Sequence, residues 1–264
     1  MFTRAIVRPP CSNFAQGLTS VDLGLPDPAL ALAQHTAYCA ALEQCGLTLT
    51  TLAADEDFPD STFVEDTAIL ANDCAILTRP GASARLGEVD RIEPVLRSFF
   101  ERSYRIVAPG TVDGGDVCQA GNHFFIGISE RTNEEGARQL GAVLQREGFT
   151  TTAIDIRDVA GILHLKSGIS YLGDNRLVLI DTLVVRDEFA GYEIVRIHAH
   201  ERYAANCLRL NDRILIASGN PRLESALSGL GYPLIALDMS EFRKMDGALT
   251  CLSLRFQGGS QDVE

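Results

Sequence analysis

Cys251, in the run DGALTCLSLRF, and His164, in ILHLKSG, are the side chains of this sequence best suited to covalent chemistry. A thiolate attacks electrophilic carbon, and a histidine can move the protons that such an attack requires. Carboxylates gather in two places: Asp60, Glu65 and Asp66 in PDSTFVED, and Asp113 and Asp116 in TVDGGD. Acids that lead straight into an apolar strand are costly to bury unless a cation faces them. A planar, permanently charged guanidinium is the cation that several carboxylates hold best. Arg85, in RPGASARLG, and Arg131, in SERTNEEG, each follow an apolar run and could grip a carboxylate through paired N–H donors. Read one at a time, each of these has a plainer explanation. The cysteine could be a packed apolar residue, the histidine a satisfied core residue, DGGD a turn, and the remaining charges solvated surface.

The elements that carry these residues argue for reading them together. Apolar pairs of short runs flank tight polar turns at Asn72-Asp73, Gly121-Asn122, Gly173-Asp174-Asn175 and Asn211-Asp212, a strong hairpin signal. The polar residue leading each unit is Glu65, Asp116, His164 and Asn206 in turn, with Cys251 next, at intervals of 42 to 51 residues. So regular a period implies repeated modules. Helical spacing covers residues 28–45, 86–102, 132–148 and 221–231, and strand-like runs TTAIDI and YPLIAL follow the last two. LTCLSLRF lacks a second strand, and FTRAIVRP near the N-terminus is an unpaired apolar run that could supply it. Closing a ring in this way removes exposed sheet edges. The expectation is a five-bladed, pseudo-symmetric α/β propeller of ββαβ modules, formed as one domain over 1–264, with 257–264 a flexible tail. Its leading residues would meet at the axis.

Composition sets the outer bounds. The chain has 264 residues, 46% of them hydrophobic and 22% charged, as in ordinary globular proteins. A formal net charge of −12 without a Lys/Arg-rich tract excludes nucleic acid as the expected partner. No apolar run reaches the roughly 18 residues of a membrane span, and MFTRAIVRPP meets proline too early for a signal peptide. A cytoplasmic protein is expected, with no membrane partner. Seven cysteines, an odd number with no CxxC, argue against a disulfide framework or a structural zinc site. His198 and His200 share one face at strand-like spacing, but no further Cys or His lies nearby, and they read as surface histidines.

FVED, DGGD, RTN, HLKSG and DGALTCLSLRF, in the order they occupy along the chain, resemble the dimethylarginine dimethylaminohydrolase family of guanidino-modifying enzymes. The resemblance runs from GLTS at 17–20 to CLSLRF and implies a five-bladed α/β propeller. It implies Cys251 as nucleophile and His164 as general acid, then base. Asp113 would orient His164 or bind a guanidinium nitrogen; close bacterial members carry Glu there. Glu65 and Asp66 would hold the guanidinium, and Asp60 with the Leu18 carbonyl the α-amino group. Arg85 and Arg131 would bind the α-carboxylate, and the backbone of Met245 would line the substrate. The implied reaction converts a methylated arginine to citrulline and an amine, without metal or organic cofactor, in a monomer or homodimer. Another guanidino enzyme, such as an arginine deiminase or an amidinotransferase, and a non-catalytic propeller are the alternatives.

Overall fold

A computed structural model describes residues 1–258. In chain order its regular elements are β1 (Arg4–Val7), α1 (Pro28–Gln44), β2 (Thr48–Thr51), β3 (Ala68–Ala71), β4 (Cys74–Leu77), α2 (Glu88–Phe99) and β5 (Arg102–Arg105). There follow β6 (Val117–Ala120), β7 (His123–Ile128), α3 (Glu134–Arg146), β8 (Thr150–Asp155), β9 (Ile169–Gly173), β10 (Arg176–Ile180), α4 (Asp181–Val184) and β11 (Glu193–Ile197). The last are β12 (Leu208–Leu210), β13 (Arg213–Ala217), α5 (Pro221–Gly229), β14 (Leu234–Leu237), α6 (Ser240–Arg243) and β15 (Ser253–Phe256).

These strands form five sheets of three: β15-β1-β2, β3-β4-β5, β6-β7-β8, β9-β10-β11 and β12-β13-β14. In each, the central strand pairs antiparallel with its inner neighbour and parallel with its outer one. The fold is the five-module propeller, and the ring closes as the sequence implies, with Arg4 opposite Phe256 and Val7 opposite Ser253. The closing strand is well anchored, because Ala5, Ile6 and Val7 are wholly buried. Removing the Ile6 side chain to alanine would cost about 2–5 kcal/mol. Of the tail expected over 257–264, residues 259–264 lie outside the described residues, and the Gly258 N–H donates to the Thr3 hydroxyl.

Local chemistry explains the turns. Asn72, Asp174, Asn175 and Asn211 adopt φ between 50° and 56°, the left-handed region that Asn and Asp tolerate. Helix α1 starts where Asp27 accepts the N–H groups of Ala29 and Leu30 and Pro28 supplies the fixed φ of a first turn. It stops before Gly46, whose φ is +89°.

One expectation needs correction. The helix expected over 86–102 ends at Phe99, and β5 begins at Arg102. The fourth module has no long crossover helix, only α4 and a 3-10 turn at Asp187–Phe189 before β11.

The inner strands β3, β6, β9, β12 and β15 surround the axis, and each is preceded by a 3-10 turn. These turns are Val64–Thr67, Gly114–Asp116, Leu165–Ser167, Ala199–Ala205 and Thr250–Leu252; the first touches the second and the fifth, the second the third and the third the fourth, and Asn206, just past the fourth, closes the ring by hydrogen bonds to Thr250. A short 3-10 turn leaves backbone N–H groups and the flanking side chains free to point inward. The polar residues named from the sequence sit on or beside them.

Candidate active site

Asp113 and His164 form the best-defined pair. The Asp113 carboxylate is fully buried; Oδ2 lies 3.0 Å from His164 Nε2, and Oδ1 accepts the Gly81 N–H at 2.8 Å. His164 is buried on the turn before β9, and its ring packs against Gly115. A Cβ on Gly115 would stand 2.6 Å from His164 Nδ1, so only glycine lets the DGGD backbone come this close. Burial opposes a charge on the imidazole, but Asp66, Asp116 and Asp113 together raise its pKa to about 9. At neutral pH it is an imidazolium.

The acids of PDSTFVED have protein cations as partners. Asp66 is buried and accepts Arg85 Nη1 at 2.6 Å and the Gly115 N–H at 2.8 Å. Burial works against its charge, yet Arg85 and His164 hold it at about 2. Glu65 takes Lys166 Nζ and Arg255 Nη2, each at 2.7 Å, on Oε1, and the Thr250 hydroxyl at 2.7 Å on Oε2. Lys166, Arg255 and Thr250 were not singled out from the sequence. The need for a cation beside Glu65 was visible there, and Lys166 stands two positions after His164 in HLKSG.

Cys251 lies in the fifth turn, half-buried, its N–H donating to the Ala248 carbonyl at 3.2 Å. Burial, then the charges of Glu65 and Asp66, push its thiol up to about 12. The resting state pairs a neutral thiol with a charged imidazolium. Asn206 stitches the third and fifth turns, donating to the Lys166 carbonyl and Thr250 Oγ1 while accepting the Thr250 N–H.

The remaining expected residues lie around this centre with different capacities. Asp60 is buried and receives the Leu18 N–H on both carboxylate oxygens at 3.1 Å. Burial raises its pKa, with Arg85 working the other way. Met245 is buried in the cluster that holds Phe63 and Phe242. Arg85 is almost wholly buried, and its Nε, Nη1 and Nη2 already serve Glu88, Asp66 and the carbonyls of Asp60 and Phe63. Arg131 keeps 19% of its side chain exposed and, among the described residues, has only a long 3.7 Å pairing with Asp113. It is the arginine with donors to offer a ligand. Asp66, Asp113 and His164 are close enough to share a cation, but Arg85, Gly81 and Gly115 already donate to those carboxylates. His198 and His200 are exposed, as the sequence implies; they flank the start of a 3-10 turn rather than lie in a strand, with rings stacked 6.1 Å apart.

Comparison with known proteins agrees with this geometry. The family model described as arginine deiminase matches residues 56–206. The N(G),N(G)-dimethylarginine dimethylaminohydrolase of Pseudomonas aeruginosa is 46% identical over 97% of this chain and 100% of its own. The solved structure of a cysteine-to-serine variant of that enzyme, complexed with citrulline, superimposes with a TM-score of 0.94 at 45% identity, covering 97% of this chain and 100% of that one. A histidine-to-glycine variant solved as an adduct with S-methyl-L-thiocitrulline, also a dimethylarginine dimethylaminohydrolase, gives the same TM-score, identity and coverage. Fold and site together define a hydrolase of C–N bonds on the pentein propeller. Within that class the chain belongs to the dimethylarginine dimethylaminohydrolase family.

Proposed function

We propose that this protein hydrolyses N-omega-methylated arginines, asymmetric dimethylarginine and monomethylarginine, to citrulline and dimethylamine or methylamine. The observation that carries the proposal is the ring of turns that brings Cys251, the Asp113–His164 pair and the Glu65–Asp66 acids to one axis. The citrulline and S-methyl-L-thiocitrulline bound to its relatives are the kinds of product and substrate analogue such a site would hold.

The chemistry follows from the charges. A bound guanidinium brings one positive charge against Glu65 and Asp66 and so offsets the two carboxylates that oppose ionisation of Cys251. The thiol then loses its proton to solvent, and the thiolate adds to the guanidinium carbon. His164, charged beforehand, gives its proton to the departing amine as the C–N bond breaks, leaving a covalent thiouronium. Neutral His164 next takes a proton from water, the hydroxide adds to the same carbon, and the C–S bond breaks as the new hydroxyl releases its proton to solvent, freeing citrulline and the thiolate. The thiolate regains its proton when the site empties. Asp113 stabilises the imidazolium from Nε2. Asp60 and the Leu18 carbonyl bind the α-amino group, the Met245 backbone lines the substrate, and Arg131 receives the α-carboxylate, while Arg85, its donors taken by Glu88 and Asp66, adds its charge from behind Asp66. Part of the same reading is a cytoplasmic enzyme of one domain, a monomer or homodimer, acting on a small molecule. No helix among the described residues is long and apolar enough to cross a membrane.

The test is release of citrulline and dimethylamine from asymmetric dimethylarginine, beside arginine and a Cys251→Ala control. Both products from dimethylarginine, little turnover of arginine and none by the variant are expected. Preferential turnover of arginine would make the protein a deiminase, the reading that the family model matching residues 56–206 favours.

A further inference from the structure

We infer that Asp116 is the positioning residue of this site, a buried carboxylate that sets the His164 turn and the Arg131 turn in one frame. Its Oδ1 accepts the N–H of Leu165, the residue after His164, at 2.9 Å. Its Oδ2 accepts the Ser129 hydroxyl at 2.6 Å. Ser129 Oγ in turn accepts the N–H of Arg131 at 3.0 Å and of Thr132 at 3.1 Å. The frame closes on the partner of His164, because the Asp113 N–H donates to the Thr132 hydroxyl at 3.1 Å. One side chain thus reaches, within two hydrogen bonds, the groups assigned to proton transfer and to the substrate carboxylate. None of its oxygens is offered to a ligand.

Room has been made for this arrangement. Gly127 sits inside β7, where glycine weakens a strand, and a Cβ there would stand 2.9 Å from both Asp116 Oδ1 and Leu165 Cβ. A fully buried carboxylate that served packing alone would be replaced at a gain by an apolar or amide side chain. Its charge has a use beside His164. The charged groups facing that imidazole are Asp66 from the first turn and Asp113 and Asp116 from the second; Arg85 lies behind Asp66 and Arg131 behind Asp113. Asp66 and Asp113 each also answer an arginine, whereas among the described residues Asp116 answers only hydroxyls and an N–H; burial raises its pKa to about 6, with His164 working the other way, so the charge it carries above that pH faces His164.

The inference rests on the proposed reaction for its kinetic consequences, but its primary readout does not need turnover. Asp116→Asn keeps an oxygen for Leu165 and removes the charge. NMR titration of His164 is expected to give a pKa lower by about one unit in that variant. With dimethylarginine, kcat should fall about 10- to 100-fold with its alkaline limb moved down by the same unit, while KM changes little. Ser129→Ala should instead raise KM about 10-fold and leave the His164 titration in place. A folded Asp116→Asn protein with unchanged His164 titration and kcat within about twofold of the parent would overturn the inference. Should Asp116→Asn not fold, Gly127→Ala, which presses on the Asp116–Leu165 bond, must lower kcat; unchanged kcat there would also overturn it. A parent protein inactive on dimethylarginine whose His164 pKa still falls in Asp116→Asn would support the inference and sink the proposed reaction instead.

Discussion

The two edges of the site are prepared to different degrees. On one, His164 is fixed by Asp113 at 3.0 Å, packed against Gly115, and charged by three carboxylates. On the other, Cys251 is half-buried and protonated, its N–H donating to the Ala248 carbonyl, with its pKa pushed to about 12 by burial and by the same acids that await the substrate. Carboxylates that favour an imidazolium must disfavour a thiolate, since the two charges have opposite sign. The proton-transfer edge is therefore complete at rest, and the nucleophile edge is completed by the substrate's own positive charge. A site built this way favours cationic substrates twice, in binding them and in being switched on by them.

The comparison can be broken from the prepared edge first. Gly115→Ala puts a methyl group 2.6 Å from His164 Nδ1 and 3.1 Å from Asp66 Oδ1. The ring must move off Asp113, and kcat should fall about 100-fold with little change in KM, in steady-state assays with dimethylarginine. The other edge responds in the opposite sense. Glu65→Gln removes a negative charge that faces Cys251 while Lys166 and Arg255 remain. The thiol pKa should drop, so alkylation of Cys251 by iodoacetamide at neutral pH should speed up about 10-fold even as turnover declines. A variant in which alkylation slows would show that Glu65 does not oppose the thiolate.

Much of this was legible from residue types. Asn/Asp/Gly turns gave the hairpins, the spacing of their leading residues gave the ring, and the unpaired N-terminal run gave its closure with β15. The outer strands β2 and β5 were not legible because they are short and largely polar (TLTT, RSYR), and the fourth-module strand β11 (EIVRI) because it is short, partly exposed and follows no long helix. Such strands are held by pairing with a buried neighbour rather than by their own apolar pattern. In the site, single sequence positions named Cys251, His164 and the acids. The cations that face the acids, Lys166 and Arg255 on Glu65 and Arg85 on Asp66, depend on which segments meet near the axis. Arg85 illustrates the limit: its sequence context fits a carboxylate-binding arginine, yet Glu88, only three residues on, takes two of its donors. Spacing alone does not reveal that competition.

The most direct test of the unequal edges is the pH dependence of Cys251 alkylation in the free protein, followed by mass spectrometry of the modified peptide. Because the acids and burial raise the thiol pKa, the reactive thiolate should increase through pH 9 with no plateau, and no inflection should appear near neutrality. A plateau reached below about pH 7, the mark of a resting thiolate–imidazolium pair, would contradict the account.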